Sequence, residues 1–297
     1  MKHFEKLFVS SIPRSGSTIL TNILDRYEDV FCLPESFFPV ALDCVDTDEW
    51  NRKDHIAALF IVSCSDGSPL TFEEARSCIR DSKEETLDAI AEFAMRKAGR
   101  DPATVHIVVW KYTRLIGRWK FAASTHGRFL ILKRNPLNVY LSQFRVPFGQ
   151  KNKNPWRFAL FEASYIAAFK TYPESKTRHL DYADTQTRVD DLVSWLGSNG
   201  RKLTDSSKGM GEISGKNPWH SEINKPFKNT DSEKLAMLRR GQGVSYRIAK
   251  IFLSLIPIVP RIARTVADRR QINAMRDQAQ ELLNGSLAPE IFNSTTT

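Results

Sequence analysis

Apolar residues in the first two-thirds of the chain follow two alternating patterns. Short and almost wholly apolar runs at 7–9, 105–110 and 129–132 are typical of strands buried on both faces of a parallel sheet. Between these runs, apolar residues recur at i, i+3, i+4 and i+7, which predicts amphipathic helices. Because strands and helices alternate, the chain is predicted to adopt an α/β fold in which helices flank a central parallel sheet in three layers, with the strand–loop–helix start of a P-loop-type fold.

The helical pattern recurs at intervals along the chain. The helix after residue 136 has proline in its first turn, where its missing N–H costs nothing, and the helix before Gly197 ends at a glycine. Two further strands are predicted near residues 30–32 and 179–182. The predicted helices cover residues 19–27, 87–94, 137–144, 156–170 and 189–196.

The pattern weakens in two internal regions. Residues 45–85 are polar and irregular around 55–62, so we expect an insertion there. Residues 198–230 form a polar loop rich in glycine and lysine. We therefore predict a single domain over residues 1–230, in which about residues 40–100 form an insertion that caps the site of the acceptor substrate.

Residues 231–297 are predicted to form a helical C-terminal extension with a frayed tail. Within it, basic side chains flank the apolar run 251–259 across the stretch 246–264, and Pro257 and Pro260 argue against one long helix. This stretch either lies in a membrane interface or packs into the core with a basic rim. Its longest apolar run is about half of the ~20 residues that a membrane-spanning helix needs.

Composition excludes several classes of protein. With 297 residues, of which 41% are hydrophobic and 26% charged, the chain is neither disordered, collagenous nor a coiled-coil array. Its four cysteines are widely spaced and its six histidines form no H-x-x-x-H pair, so we expect neither disulfides nor a metal site. Residues 1–7 lack the apolar core of a signal peptide, and we expect a cytoplasmic location.

Charge is unevenly distributed along the chain. The net charge of +9 divides into −6 over residues 1–100 and +15 over residues 101–297. A basic C-terminal part favours an anionic partner, such as a nucleotide, a nucleic acid or a membrane surface, although a solvated cationic face would give the same count.

A phosphate-binding loop is predicted after the first strand. Residues 10–18 read Ser-Ser-Ile-Pro-Arg-Ser-Gly-Ser-Thr and lead into a helix, an arrangement that presents backbone N–H groups and a cation to an anion. The Gly-Lys of the usual P-loop is absent. The segment 13–18 resembles the 5′-phosphosulfate-binding loop of sulfotransferases that use 3′-phosphoadenosine 5′-phosphosulfate (PAPS), above all their carbohydrate and tyrosylprotein branches. The resemblance implies that PAPS contacts Arg14, Ser15, Gly16, Ser17 and Thr18.

A second motif follows a later strand. Arg134-Asn135-Pro136, with Ser142 eight residues after the arginine, resembles the 3′-phosphate-binding motif of the same family, in which Asn135 replaces an aspartate. PAPS carries two separate anionic groups, so two binding sites are required, and arginine can bind phosphate through two parallel hydrogen bonds. The resemblance implies that Arg134 and Ser142 bind the 3′-phosphate, with no metal and no nucleic acid involved.

The same resemblance implies catalytic residues. Glu35 lies 21 residues after Arg14, the offset of the catalytic glutamate in the tyrosylprotein branch, and strand 30–32 would return it to the carboxyl edge of the sheet. A capping glutamate in a surface turn is the alternative. Lys111 follows strand 105–110 and resembles the lysine that stabilises the transition state in relatives. Arg14 would share that role.

Three weaker correspondences complete the predicted site. The loop 208–219 resembles a late loop that closes over PAPS, which implies contacts from Ser214 and Lys216. Tyr182 stands where relatives have an aromatic residue against adenine, although it could equally be a core tyrosine. Some relatives carry an arginine four residues after the motif serine, where this chain has Val146.

Three functions remain open from the sequence. The first is sulfuryl transfer from PAPS to the hydroxyl of a carbohydrate, a tyrosine or a small natural product, with release of 3′-phosphoadenosine 5′-phosphate (PAP). The second is a P-loop kinase for nucleosides or small molecules, which magnesium dependence would distinguish. The third is a nucleotide-binding or anionic-lipid-binding module without turnover.

Overall fold

The computed structural model describes residues 2–45, 52–65, 67–112, 126–143, 153–185, 187–203 and 240–285. Within these ranges the strands form one sheet in the order β2-β3-β1-β4-β5, and every pair of neighbours runs parallel. This confirms the predicted α/β fold with a central parallel sheet. The strands are β1 (Glu5–Ser11), β2 (Val30–Leu33), β3 (Ile107–Lys111), β4 (Arg128–Lys133) and β5 (Thr177–Asp181).

The helices lie on both faces of this sheet. Short 3₁₀ turns cover Glu174–Lys176 and Tyr182–Asp184. The described α-helices are α1 (Ser17–Leu24), α2 (Phe38–Leu42), α3 (Lys53–Ser63), α4 (Phe72–Cys78), α5 (Lys83–Lys97), α6 (Pro136–Gln143), α7 (Pro155–Phe169), α8 (Val189–Trp195), α9 (Arg240–Leu255) and α10 (Ile258–Leu283).

The alternation of side chains along the strands divides the core into two main layers. Leu7 and Val9 of β1 face the layer that contains α1 and α8, whereas Phe8 faces the layer that contains α2–α5 and part of α10. Because both faces are covered, the middle of β1 and most of β2, β3 and β4 are apolar, as the sequence predicts, whereas the edge strand β5 buries only Leu180. The central strand β1 pairs with β3 on one side and β4 on the other, so the loop after β1 lies at the carboxyl edge of three strands.

Several helix starts follow directly from local sequence. Thr71 and Glu74 form a capping box at α4, and the Ser82 hydroxyl accepts a hydrogen bond from the Glu85 N–H at the start of α5. Asn154 caps α7 in the same way, with Pro155 at its first position.

The prediction of an irregular stretch over residues 45–85 is wrong in part. Within it, Lys53–Ser63 forms α3, whose residues from Ile56 to Ile61 are all buried. A helix that is apolar on all sides carries no amphipathic period, and for that reason its sequence shows no helical signal. Helix α3 packs against α2, α4 and α10, so this helix belongs to the core on one face of the sheet.

The C-terminal helices also differ from expectation. The interpretation of 246–264 as a segment packed into the core is wrong, since most of its apolar side chains are exposed. Helix α10 begins at Ile258 and buries Ile272, Met275 and Leu282 against the main core. The proposed division into a domain of residues 1–230 and an extension of residues 231–297 stays a prediction.

None of the described helices is by itself long and apolar enough to cross a bilayer. Helices α9 and α10 reach the length and apolar composition of a membrane-spanning segment only when they are taken as a pair. The pair is bent by 97° at the break between the two helices.

Candidate active site

The loop between β1 and α1 has an unusual backbone. Arg14 has a φ of 77° and Gly16 a φ of 94°, both in the left-handed region. For an arginine this conformation is sterically unfavourable by about 1–2 kcal/mol. Non-glycine residues held in this region cluster at functional sites, where the surrounding structure maintains the strain. The turn ends at Gly16, after which the first N–H groups of α1 are available to an anion.

Gly16 is also required by a close approach. Tyr182 lies so near that a Cβ atom at position 16 would stand 2.3 Å from its Cε2 and 2.4 Å from its Cδ2. The ring of Tyr182 is 5% exposed and also stacks with Arg134, whose guanidinium carbon is 4.1 Å from the ring centroid. Tyr182 therefore positions the loop and Arg134 together, and a contact with adenine stays a prediction.

The two predicted phosphate motifs lie side by side. Arg134, just beyond β4, donates from Nη1 to the backbone oxygen of Arg14 over 3.0 Å. Arg14 in turn donates from Nε to the Oγ of Ser142 over 3.4 Å. Ser142 is buried in α6, and the contact joins residues 128 positions apart. The two motifs, which are far apart in the sequence, are thus neighbours in the fold.

Two arginine side chains give this region a positive electrostatic character. Burial lowers the pKa of the Arg14 guanidinium from its usual value, and the adjacent Arg134 cation lowers it further, whereas Glu35 raises it. Two guanidinium groups this close repel each other, and an anion placed between them would relieve that repulsion. No cluster of three His, Cys, Asp or Glu side chains that could hold a metal ion occurs among the described residues.

Lys111 connects the loop to Glu35. Its Nζ donates to Thr18 Oγ1 over 3.1 Å and forms an ion pair with Glu35 Oε2 at 3.3 Å. The lysine side chain is 5% exposed and that of Glu35 is 20% exposed, so the carboxylate is the more accessible partner. The side chains of Thr18, Lys111 and Glu35 thus form a continuous series of polar contacts from the first turn of α1 to the turn after β2.

Strand pairing explains why these residues meet. Strands β2 and β3 are parallel neighbours, and Leu33 pairs with Trp110, so their carboxyl ends lie at the same edge. The Ser36 N–H donates to the Lys111 carbonyl over 3.1 Å, which fixes the turn that carries Glu35. The Ser65 N–H donates to the Glu35 carbonyl over 2.9 Å and holds the end of α3 against that turn.

A cavity of about 840 Å³ opens beside Arg134. Its size lies within the range of small-molecule and cofactor pockets. Sequence patterns did not indicate it, because its walls come from elements far apart in the chain. The lining includes Ser15, Leu132, Arg134, Glu162, Tyr172 and His179.

Asn138 is a polar residue that the sequence analysis missed. It lies four residues after Arg134 and four before Ser142, so it shares a helical face with Ser142. Its side chain is fully buried, yet neither its amide nitrogen nor its amide oxygen has a hydrogen-bond partner within the described part of the chain. The signal that could have identified it is the repeated spacing of four among polar residues in a helix that is otherwise largely apolar.

Some predicted site residues fall outside the described ranges. Ser214 and Lys216 belong to residues 204–239, and Val146 to residues 144–152, neither of which is described. Contacts of the 208–219 loop with PAPS therefore stay predictions.

Replacing Arg14 by glycine should separate function from stability. We expect Arg14→Gly to lose activity while its free energy of unfolding stays level or rises by up to about 1 kcal/mol, because glycine adopts a φ of 77° without strain. Arg14→Ala should lose activity equally but keep the strain, so its urea midpoint should lie below that of Arg14→Gly. Equal midpoints for the two variants would contradict the strained loop.

Comparison with known proteins gives three findings. A model of the sulfotransferase family matches residues 6–194. No curated protein sequence gives a significant match. A sulfotransferase domain from the olefin synthase of Synechococcus PCC 7002 superposes with a TM-score of 0.51 at 14% identity, covering 85% of this chain and 96% of that one. At this identity the likeness concerns the fold alone.

Two other solved structures resemble the chain more distantly. A sulfotransferase from Alicyclobacillus acidocaldarius gives a TM-score of 0.39 at 12% identity, covering 83% of this chain and 95% of that one. A sulfotransferase domain from the curacin biosynthetic pathway gives 0.40 at 14% identity, covering 80% and 98%.

Proposed function

This chain belongs to the sulfotransferase family, and we propose that the sulfuryl group it transfers comes from PAPS and goes to a hydroxyl acceptor, with release of PAP. The observation that carries the proposal is the convergence of Arg14, Lys111 and Arg134 at one edge of the sheet, with the carboxylate of Glu35 among them. A hydroxyl of a carbohydrate, a tyrosine or a small natural product is the acceptor class we propose. The carbohydrate or tyrosylprotein branch stays a prediction.

The residues present fit a ligand with two anionic groups. The α1 N-terminus with Ser17, Thr18 and Lys111 would hold the 5′-phosphosulfate, because these groups donate hydrogen bonds and carry positive charge. Arg134 and Ser142 would hold the 3′-phosphate, since both contact Arg14 and can donate hydrogen bonds to an anion. The cavity beside Arg134, which is also lined by Ser15 of the loop after β1, supports a ligand of nucleotide size here.

Glu35 is the proposed general base. When bound, PAPS supplies the sulfuryl group: a bond forms between its sulfur and the acceptor oxygen as the bond from sulfur to the 5′-phosphate oxygen breaks. Glu35 accepts the hydroxyl proton as this oxygen attacks, and its ion pair with Lys111 orients the carboxylate. Lys111 and Arg14 stabilise the negative charge that develops on the departing phosphate oxygen.

The acceptor is proposed to bind on the side of α3. The end of this helix is tied to Glu35, through the hydrogen bond from Ser65 N–H to the Glu35 carbonyl. The hydroxyls of Ser36 and Ser63 lie 2.9 Å apart next to the same turn. An acceptor bound by residues of the region 40–100 would therefore lie next to Glu35, in agreement with the proposal that this region caps the acceptor site.

Calorimetric titration with PAP tests the donor. We expect PAP to bind more tightly than ADP, and Arg134→Ala to weaken PAP binding by about tenfold to a hundredfold, since a hydrogen bond to a charged group contributes roughly 1.5–3 kcal/mol. ADP lacks the 3′-phosphate and should lose much less affinity, which separates the loss of that contact from a general disturbance of Arg14. Arg128→Ala is the matched control, because Arg128 lies at the opposite end of the same strand and pairs with Glu5.

Two results would overturn this proposal. If PAP binds no better than ADP to the wild-type protein, there is no 3′-phosphate site, and a magnesium-dependent kinase becomes the better hypothesis, which titration with ATP and Mg²⁺ would support. If PAP binds tightly but no hydroxyl acceptor in a broad panel is sulfated, a nucleotide-binding module without turnover is the better hypothesis.

A further inference from the structure

Helices α9 and α10 carry a large exposed apolar surface. Six isoleucine, leucine and phenylalanine side chains of these helices are each more than half exposed, and that of Leu255 reaches 74%. We call this surface the apolar elbow, because it follows the 97° bend between the two helices around Pro257. The apolar elbow consists of Ile248, Ile251, Phe252, Leu255, Ile258 and Ile262.

The apolar elbow is separate from the surface by which α9 packs. Tyr246 and Ala249 of α9 are buried against α7, where the Tyr246 hydroxyl donates to the carboxylate of Glu162. Ile248, Ile251 and Leu255 recur at spacings of three and four, so they form a second stripe on another side of the helix. Packing against α7 explains the apolar residues on one side of this helix, but it does not explain the exposed stripe on the other side.

The exposed charged side chains that α9 and α10 carry over residues 241–270 are all positive. Residues 241–270 contain one acidic residue, Asp268, and it is buried in an ion pair with Arg264. Exposed basic residues lie on both helices: Arg247 on α9 and Arg261 on α10 are next to members of the apolar elbow in the sequence, and Arg269 and Arg270 follow about two turns further along α10. A positively charged rim around an apolar centre is complementary to a surface that is negative outside and apolar beneath.

We propose that the apolar elbow docks this protein onto a bilayer containing anionic lipids. Leu255, Ile258 and their neighbours enter the boundary between headgroups and acyl chains, while the arginines of the rim contact lipid phosphates. Trp156 supports this occupant: it is 43% exposed and its ring lies 6.0 Å from that of Phe252. Tryptophan favours the interface of a bilayer, where its ring meets both apolar and polar surroundings.

The charged rim also argues against a second copy of the chain as occupant. In a two-fold symmetric dimer the same patch of each copy faces the other, so the arginines of the two rims would be brought together. Residues 241–270 offer no acidic partner for them, because their one acidic residue, Asp268, is buried in an ion pair with Arg264. Like charges across an interface are unfavourable, whereas lipid phosphates neutralise them.

Vesicle sedimentation tests the proposal without reference to sulfuryl transfer. The 297-residue chain is mixed with vesicles of phosphatidylcholine alone, or with vesicles that also contain about 30% phosphatidylglycerol. We expect sedimentation with the anionic vesicles, weakened severalfold by about 0.5 M NaCl because salt screens the rim. Leu255→Ser with Ile258→Ser should lower the partition coefficient by about tenfold to a hundredfold, since both side chains would be buried in lipid.

A charge series provides the matched control. Arg247→Gln with Arg261→Gln should weaken binding to anionic vesicles by about tenfold, whereas Arg96→Gln with Arg201→Gln removes the same charge from exposed positions elsewhere and should leave it unchanged. Circular dichroism confirms that each variant is folded, and the charge series gives an independent test if the serine variant is not.

Three outcomes would overturn the proposal. Wild-type protein that sediments with neither type of vesicle does not dock through the apolar elbow. If both charge variants lost the same amount of binding to anionic vesicles, the net charge of the protein alone would explain the attraction. The third outcome is a wild-type protein that is dimeric in light scattering and does not bind vesicles. If Leu255→Ser with Ile258→Ser then made it monomeric, the apolar elbow would be the contact with a second copy of the chain.

Discussion

Replacing Glu35 by glutamine is expected to lower kcat by about 10²- to 10⁴-fold and to leave the affinity for PAP within about twofold of wild type. Glutamine has the same shape and can still accept a hydrogen bond from Lys111, whose Nζ lies 3.3 Å from Glu35 Oε2. It cannot take the acceptor proton. The measurement combines initial rates with PAPS, using the hydroxyl acceptor that the wild-type protein sulfates fastest, and calorimetry with PAP.

The chain offers a matched control for this change. Glu5 also forms an ion pair at the sheet, with Arg128 at 3.1 Å, and its side chain is 28% exposed against 20% for Glu35. It stands at the amino end of β1, whereas the loop that leads into α1 follows the carboxyl end of this strand. Glu5→Gln should therefore retain kcat. If Glu35→Gln kept full activity, or lost PAP affinity in parallel with kcat, the assignment of Glu35 as the base would be wrong.

The elements around Glu35 and Lys111 could be predicted because local pattern and topology agree. Apolar runs identified β1, β3 and β4, and parallel strands place their carboxyl ends at one edge, so polar residues directly after β2 and β3 must lie near each other. What sequence could not supply is the contact itself. The bond between Lys111 Nζ and Thr18 Oγ1 joins residues 93 positions apart, and its length depends on the packing of α1 against the sheet.

Features that depend on packing rather than on local pattern were missed or left undecided. Helix α3 gave no periodic signal because all its sides are buried. The stretch around Pro257 has the same apolar and basic composition whether its stripe faces the core or solvent, so sequence alone left both interpretations open. Tyr182 likewise left two interpretations open, since only the structure shows that its ring lies against Gly16 and Arg134.

That ring contact leads to the largest expected effect on stability. Gly16→Ala should lower the free energy of unfolding by about 2–5 kcal/mol, of which overpacking contributes roughly 1–3 and the left-handed φ of 94° the remainder. PAP affinity should fall as well, because the loop must shift to accommodate the methyl group. Urea unfolding monitored by circular dichroism measures the first effect and calorimetry the second.

A double-mutant cycle with Tyr182→Ala distinguishes the two causes. Removal of the ring frees the space into which the added methyl group at position 16 would project, so Gly16→Ala should cost about 1–3 kcal/mol less in the Tyr182→Ala background than in the wild type. The cost that persists is that of the backbone conformation, which does not depend on Tyr182. Strict additivity of the two changes would mean that the ring does not lie over the loop. A coupling of the expected size would show that Tyr182 holds the loop between β1 and α1 in place from the end of β5, and that the conformation of this loop is determined by tertiary packing as much as by its own glycine.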